Sequence, residues 1–202
     1  MAENRLNAGH SVDCRVVVIG GSTGSIDVLL RLLPALQPPL SFALIIVVHR
    51  RNTADSTLAH LFSLKTSVPV KEVDDKDVIR PGTIYLAPAD YHLLLERDGT
   101  FSLDDSEKIN YSRPSIDVTF ESAADVCGSS LVGVLLSGSN ADGTAGLKAI
   151  KSMGGFTVVQ EPDTAQVGFM PQQAISGGAA DYVFDIPGLI RFINDLNTTR
   201  SR

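Results

Sequence analysis

Apolar positions along this chain fall into two alternating kinds of run. Arg15–Ile19 is a short β-branched run that meets Gly20-Gly21, the pattern of a buried strand entering a sharp turn. Ile26, Leu29, Leu30 and Leu33 then recur at helical spacing and stop near Pro34. Phe42–Val48 predicts a second buried strand. Leu58, Leu61, Phe62 and Leu64 predict a second helix, and Val68–Val73 a third extended run. Thr83–Ala87, Tyr91–Glu96 and Thr100–Leu103 are shorter and alternate. They are separated by Pro88-Ala89-Asp90 and Arg97-Asp98-Gly99, so the middle of the chain reads as an antiparallel hairpin insert. Asp104–Ser112 is polar and reads as an exposed loop.

The first rhythm then returns. Pro114 suits the first position of a helix running to about Val126. Leu131–Leu136 predicts a strand, Asp142–Met153 a helix and Phe156–Gln160 a strand. A short helix near Met170–Ile175, a strand at Tyr182–Phe184 and a helix at Pro187–Leu196 follow. Strands alternating with amphipathic helices predict an α/β fold: a doubly wound, mostly parallel sheet with helices on both faces. We expect one domain over residues 15–202, preceded by a flexible tail at 1–14.

In such sheets, ligands bind beyond the carboxyl ends of the strands. Three of the expected turns there carry chemistry: Gly20-Gly21-Ser22-Thr23-Gly24-Ser25, His49-Arg50-Arg51, and Ser137-Gly138-Ser139-Asn140-Ala141-Asp142-Gly143. Ser22, His49 and Asp142 are the set a hydroxyl nucleophile needs, with a base for its proton and a carboxylate to orient that base. Each has a plainer reading. Ser22 and Asp142 could cap the helices that follow them, and His49 could be a surface histidine at a strand end. The glycine-rich first turn also admits a nucleotide-binding oxidoreductase. GGSTGS fits GxGxxG poorly, but arginines after the second strand could meet a 2′-phosphate. Arg50 and Arg51 otherwise read as solvated residues or as contacts to an acidic partner. His10, His60 and His92 are weaker candidates for chemistry.

Composition narrows the field. Seventeen basic against 23 acidic residues give a net charge of −6 over 202 residues, which argues against a general nucleic-acid partner. Cys14 and Cys127 match no metal spacing and read as free thiols of a reducing compartment. No apolar run approaches the roughly 20 residues of a membrane span, so the expected location is the cytoplasm. No metal site stands out. The cluster Asp74-Asp75-Lys76-Asp77 reads as a solvated turn.

Several ordered segments together resemble the catalytic domain of the CheB family, the chemotaxis receptor protein-glutamate methylesterases. They are VVVIGGSTGS ending at Ser25, IIVVH ending at His49, PGTIYLAPADYHL at Pro81–Leu93 and RPSIDVTFESAA at Arg113–Ala124. GVLLSGSNADGTAGLKAIKSMGG at Gly133–Gly155, VVQEP at Val158–Pro162 and MPQQAI at Met170–Ile175 continue the series. The resemblance implies a cytoplasmic serine hydrolase that cleaves glutamyl methyl esters, and can deamidate glutamines, on receptor helices. It implies no cofactor and no insertion into the membrane. By position it assigns the nucleophile to Ser22, the base to His49 and the carboxylate to Asp142. Thr23 follows the nucleophile as in the family, and Ser139 stands where a methionine offers a backbone oxyanion donor. Ser25, Arg50-Arg51 and Ser139-Asn140-Ala141 depart from the usual pattern and bear on the shape of the substrate site. Fifteen residues before the first strand leave no room for the receiver domain that often precedes this one. A catalytically silent receptor-binding module is the remaining reading.

Overall fold

The computed structural model describes residues 15–50 and 57–198. Nine strands are found among them: β1 (Val16–Gly21), β2 (Ala43–Val48), β3 (Val70–Glu72), β4 (Ile84–Leu86), β5 (His92–Leu95), β6 (Phe101–Asp104), β7 (Leu131–Leu135), β8 (Phe156–Gln160) and β9 (Tyr182–Phe184). Six α-helices accompany them: α1 (Ser25–Leu32), α2 (Thr57–Ser63), α3 (Ile116–Cys127), α4 (Thr144–Ser152), α5 (Phe169–Ser176) and α6 (Ile186–Thr198). Seven strands form one sheet in the order β3-β4-β2-β1-β7-β8-β9, and every pairing in it is parallel. Strands β5 and β6 form a separate antiparallel pair.

The expected doubly wound sheet is present, with one correction to the insert. Thr83–Ala87 does not belong to the antiparallel piece. Its core, β4, lies between β2 and β3 in the main sheet, and its three residues are fully buried. A three-residue strand is too short for alternation to separate a half-exposed strand from a buried one. Pro114 also falls outside the helix it was expected to open, because Ser115 is the N-cap of α3.

The buried strands β1 and β2 are apolar at nearly every position because both faces are covered. Val17 and Ile19 point to a layer built from α1, α2 and α6, through residues such as Leu29, Phe62 and Leu189. Val16 and Val18 point to the opposite layer of α3, α4, α5 and the β5–β6 pair, through Phe120, Leu147, Met170 and Phe101. The chain passes from β1 to β2 on one side of the sheet and returns at β7 on the other. This reversal, where ligand crevices form in open α/β sheets, lies beside β1.

Two close approaches fix the second layer over that point. A Cβ on Gly20 would lie 2.4 Å from Ile116 Cγ2, so α3 sits directly on β1. A Cβ on Gly146 would lie 2.4 Å from Phe120 Cβ, so α4 and α3 pack equally tightly. Gly20 and Gly21 thus serve packing rather than the expected turn. The strand runs through both, and the positive φ of the turn, 84°, belongs to Gly24.

Candidate active site

Strand register brings the three turns together. Gly21 pairs with Val48, and the His49 N–H donates to the Gly21 carbonyl at 3.1 Å, so Ser22 and His49 leave adjacent strands side by side. On the other flank of β1, Gly20 pairs with Leu135, and the Ser22 N–H donates to the Ser137 carbonyl at 2.9 Å. The loop from Ser137 to Gly143 then carries Asp142 back over β1.

His49 and Asp142 meet. The His49 Nε2–H donates to Asp142 Oδ2 at 2.8 Å, with the carboxylate fully buried and the imidazole 12% exposed. Nδ1 is the nitrogen left to accept a proton, and the Ser112 hydroxyl donates to it at 3.3 Å. The Ser22 hydroxyl is half-buried and makes no hydrogen bond among the described residues. Nor does it cap α1. The N-cap is Gly24, and Ser25 Oγ donates to the Ser22 carbonyl at 2.6 Å.

Asp142 caps a helix, though not the one that follows it. Its Oδ2 accepts the Ile116 N–H at 2.8 Å, and its Oδ1 accepts the Asp117 N–H and Ser115 hydroxyl, both at 3.0 Å. These groups open α3. Asp117 returns the service to α4, its Oδ1 accepting the Gly143 N–H at 2.9 Å and the Gly146 N–H at 2.7 Å. Each helix start thus receives a carboxylate from the other segment, which suits its unpaired N–H groups and positive end. Asn110 Nδ2 spans the two, donating to Asp117 Oδ2 at 3.2 Å and to Asp142 Oδ1 at 3.4 Å.

These surroundings separate two neighbouring carboxyls. Burial alone would raise Asp142. The His49 hydrogen bond and the Ile116 and Asp117 N–H groups outweigh it and hold Asp142 down to about 2. Burial likewise raises Asp117, and the charge of Asp142 adds to it, so Asp117 is pushed up to about 6 despite the Gly143 and Gly146 N–H groups. Asp142 therefore stays a carboxylate at neutral pH, as a partner for an imidazole that takes up charge must.

The other expected residues are placed less uniformly. Thr23 and Ser139 are exposed on their turns, and neither N–H has a protein acceptor among the described residues. Arg50 lines a cavity of about 360 Å³ beside His49. Its guanidinium turns inward, however, to Glu72 and, at 3.2 Å, to the Ala87 carbonyl. Arg50 is thus spent inside the fold, while Lys108, Arg113 and Asp90 line the same cavity, with Arg113 Nη1 donating to the Asp105 carbonyl and, at 2.7 Å, to the Ser106 carbonyl. Arg51, Cys14 and the tail at 1–14 lie outside the described residues. His92 is a buried histidine tying Glu107 O to the Ser115 N–H. Burial pushes the Cys127 thiol up to about 11, which leaves it a poor nucleophile.

Sequence reasoning missed Asn110, Ser112, Ser115 and Asp117. Asn110 and Ser112 lie in a polar stretch that has no periodicity to mark them. Asp117 carried one signal, an acidic residue in the first turn of an apolar helix, but a cap for its own helix is the ordinary reading of that pattern.

Among the described residues, no set of three His, Cys, Asp or Glu side chains is grouped to hold a metal. No helix among them is long and apolar enough to cross a membrane. Beside Gly24, where a dinucleotide phosphate would need open backbone, the Gln166 side chain and Ser137 hydroxyl lie within 2.8 Å of where a Cβ would stand.

Fold and site together define a parallel α/β protein with a buried carboxylate–imidazole pair at the carboxyl edge of its sheet, next to a serine-bearing turn. Residues 17–193 match the family model described as CheB methylesterase, and the chain belongs to that family. It is 42% identical over 170 residues to a Leptospira interrogans protein provisionally named protein-glutamate methylesterase/protein-glutamine glutaminase, a match covering 84% of this chain and 88% of that protein. A Thermotoga maritima protein with the same enzyme name is 35% identical over 176 residues, covering 86% of this chain and 51% of that one. The crystal structure of the Thermotoga maritima CheB methylesterase catalytic domain superposes with a TM-score of 0.87 at 34% identity, covering 91% of this chain and 98% of that domain.

Proposed function

We propose that this chain hydrolyses glutamyl methyl esters on the cytoplasmic helices of chemotaxis or chemotaxis-like receptors, with deamidation of glutamines as the parallel reaction. The observation that carries this reading is the 2.8 Å His49–Asp142 contact beside the uncommitted Ser22 hydroxyl, in a chain of the methylesterase family. With the Nε2 proton held by Asp142, Nδ1 takes the Ser22 proton as Ser22 Oγ attacks the ester carbonyl. In doing so Ser22 displaces the Ser112 hydroxyl from Nδ1. The Thr23 and Ser139 N–H groups receive the oxyanion, and their lack of protein acceptors supports that role. Collapse returns the proton to the leaving methoxide, and methanol departs. Water, deprotonated by the same nitrogen, then releases the glutamate carboxylate and regenerates Ser22. With glutamine, ammonia is the first product. Beyond substrate and water, these steps use only side chains and backbone N–H groups of the chain.

The test is methanol release from a methylated receptor cytoplasmic fragment. Catalytic release supports the proposal. Binding of the fragment without any methanol would make the chain a silent receptor-binding module instead.

A further inference from the structure

Resting on that reading, the inference concerns how the site recognises a protein substrate. Residues Ile109–Ser112 form a tight turn closed on both sides, with Ile109 N–H donating to Ser112 O at 3.2 Å and Ser112 N–H to Ile109 O at 2.9 Å. Both central residues have positive φ, 51° at Asn110 and 62° at Tyr111. Asparagine tolerates that conformation. The second central position of such a turn is ordinarily glycine, and a tyrosine there is strained.

The Tyr111 side chain makes no hydrogen bond among the described residues that would offset the strain. Tyr111 is 99% exposed, the extreme among the large exposed apolar side chains described. Yet the turn beneath it is tied to the site on both sides, through Asn110 to Asp117 and Asp142 and through Ser112 to His49 Nδ1. The backbone of Tyr111 is therefore held in a fixed relation to His49, and its side chain projects from the rim of the cavity that His49, Lys108 and Arg113 also line. A strained, solvent-facing aromatic anchored to catalytic groups points to a contact made with something outside the chain.

We infer that Tyr111 is a specificity-determining contact for the protein substrate: its ring packs on apolar side chains of the helix that carries the glutamyl ester, while the exposed Lys108 faces that helix's carboxylates. Charge favours this occupant. The product of each turnover is itself a glutamate, and neighbouring glutamates on such a helix would otherwise meet a chain of net charge −6.

The experiment compares kcat/KM on two substrates, the methylated receptor fragment and N-acetylglutamate γ-methyl ester. Tyr111→Gly removes the ring and also relieves the positive φ, so a loss cannot come from a weakened turn. The ratio of fragment to small-ester kcat/KM is expected to fall about tenfold, mainly through KM. Tyr111→Phe should stay within about twofold of wild type, because the ring remains. An unchanged ratio in Tyr111→Gly, or equal losses on both substrates, would overturn the inference while leaving the esterase reading intact. No methanol from either substrate with the wild-type protein would overturn both.

Discussion

Asp142→Asn isolates the role of one carboxylate with almost no change in shape. The two oxygens of Asp142 serve different donors: His49 Nε2 and Ile116 N on Oδ2, and Ser115 Oγ, Asp117 N, Gly143 N and Asn110 Nδ2 on Oδ1. An amide must turn its NH2 toward one set. Facing the Oδ1 set, it would orphan the Asp117 N–H and press its own NH2 against two further N–H donors, Gly143 N and Asn110 Nδ2, which Asp117 would still accept. Facing the Oδ2 set, it orphans only the Ile116 N–H, because the imidazole can shift its proton and accept at Nε2. The second orientation is therefore preferred, and one buried donor left unpaired costs about 1–3 kcal/mol. The variant should fold, with its urea midpoint lowered accordingly. Its chemistry should suffer far more. With the proton moved to Nδ1, that nitrogen can no longer accept from Ser22, and a wrong-tautomer base costs on the order of 10⁴ in kcat. Methanol release by folded Asp142→Asn within about tenfold of wild type would refute the reasoning, since it would show that Asp142 does not set the tautomer.

Further consequences concern the neighbouring carboxylate, the packing under the site and the inward-turned arginine. Asp117 sits at about 6 in the fold against an ordinary 3.8, so its contribution to stability is full below about pH 4 and is lost as pH rises through 6. Urea unfolding at pH 4, 5 and 6 should show Asp117→Asn gaining on wild type as pH rises, and a constant difference would contradict the assignment. Gly20→Ala should cost about 1–3 kcal/mol in the same assay, because the new methyl meets Ile116 Cγ2 from a Cβ position 2.4 Å away. Arg50→Ala should lower stability by about 1 kcal/mol through loss of the partly exposed Glu72 pair. It should also leave the salt dependence of KM on the receptor fragment unchanged, whereas a flatter salt dependence would show that Arg50 faces substrate.

The sheet was legible because β1, β2, β7 and β8 are buried on both faces, and continuous apolar runs record that directly. The placement of Ser22, His49 and Asp142 followed from the same runs, since a parallel sheet sends every strand end to one edge. What stayed hidden depends on contacts between segments distant in sequence. Asp142 and Asp117 each look like caps for the helix beside them, and only the close packing of α3 on β1 and α4 reveals that the caps are exchanged. Arg50 has the composition of a surface cation, and nothing nearby in the chain indicates that Glu72 lies within reach. Ser112 and Tyr111 sit in a polar loop whose position over the site is set by Asn110 and the histidine it covers, neither of which leaves a periodic trace.

The central claim is that Ser22, rather than the hydroxyl now resting on the base, is the nucleophile. It is tested most directly by measuring methanol release from a methylated receptor fragment with Ser22→Ala and Ser112→Ala side by side. Ser22→Ala should lose a factor of about 10⁴–10⁶ while remaining folded. Ser112→Ala should keep turning over, because it only vacates the nitrogen that Ser22 must reach. The reverse pattern, an active Ser22→Ala and an inactive, folded Ser112→Ala, would contradict the account.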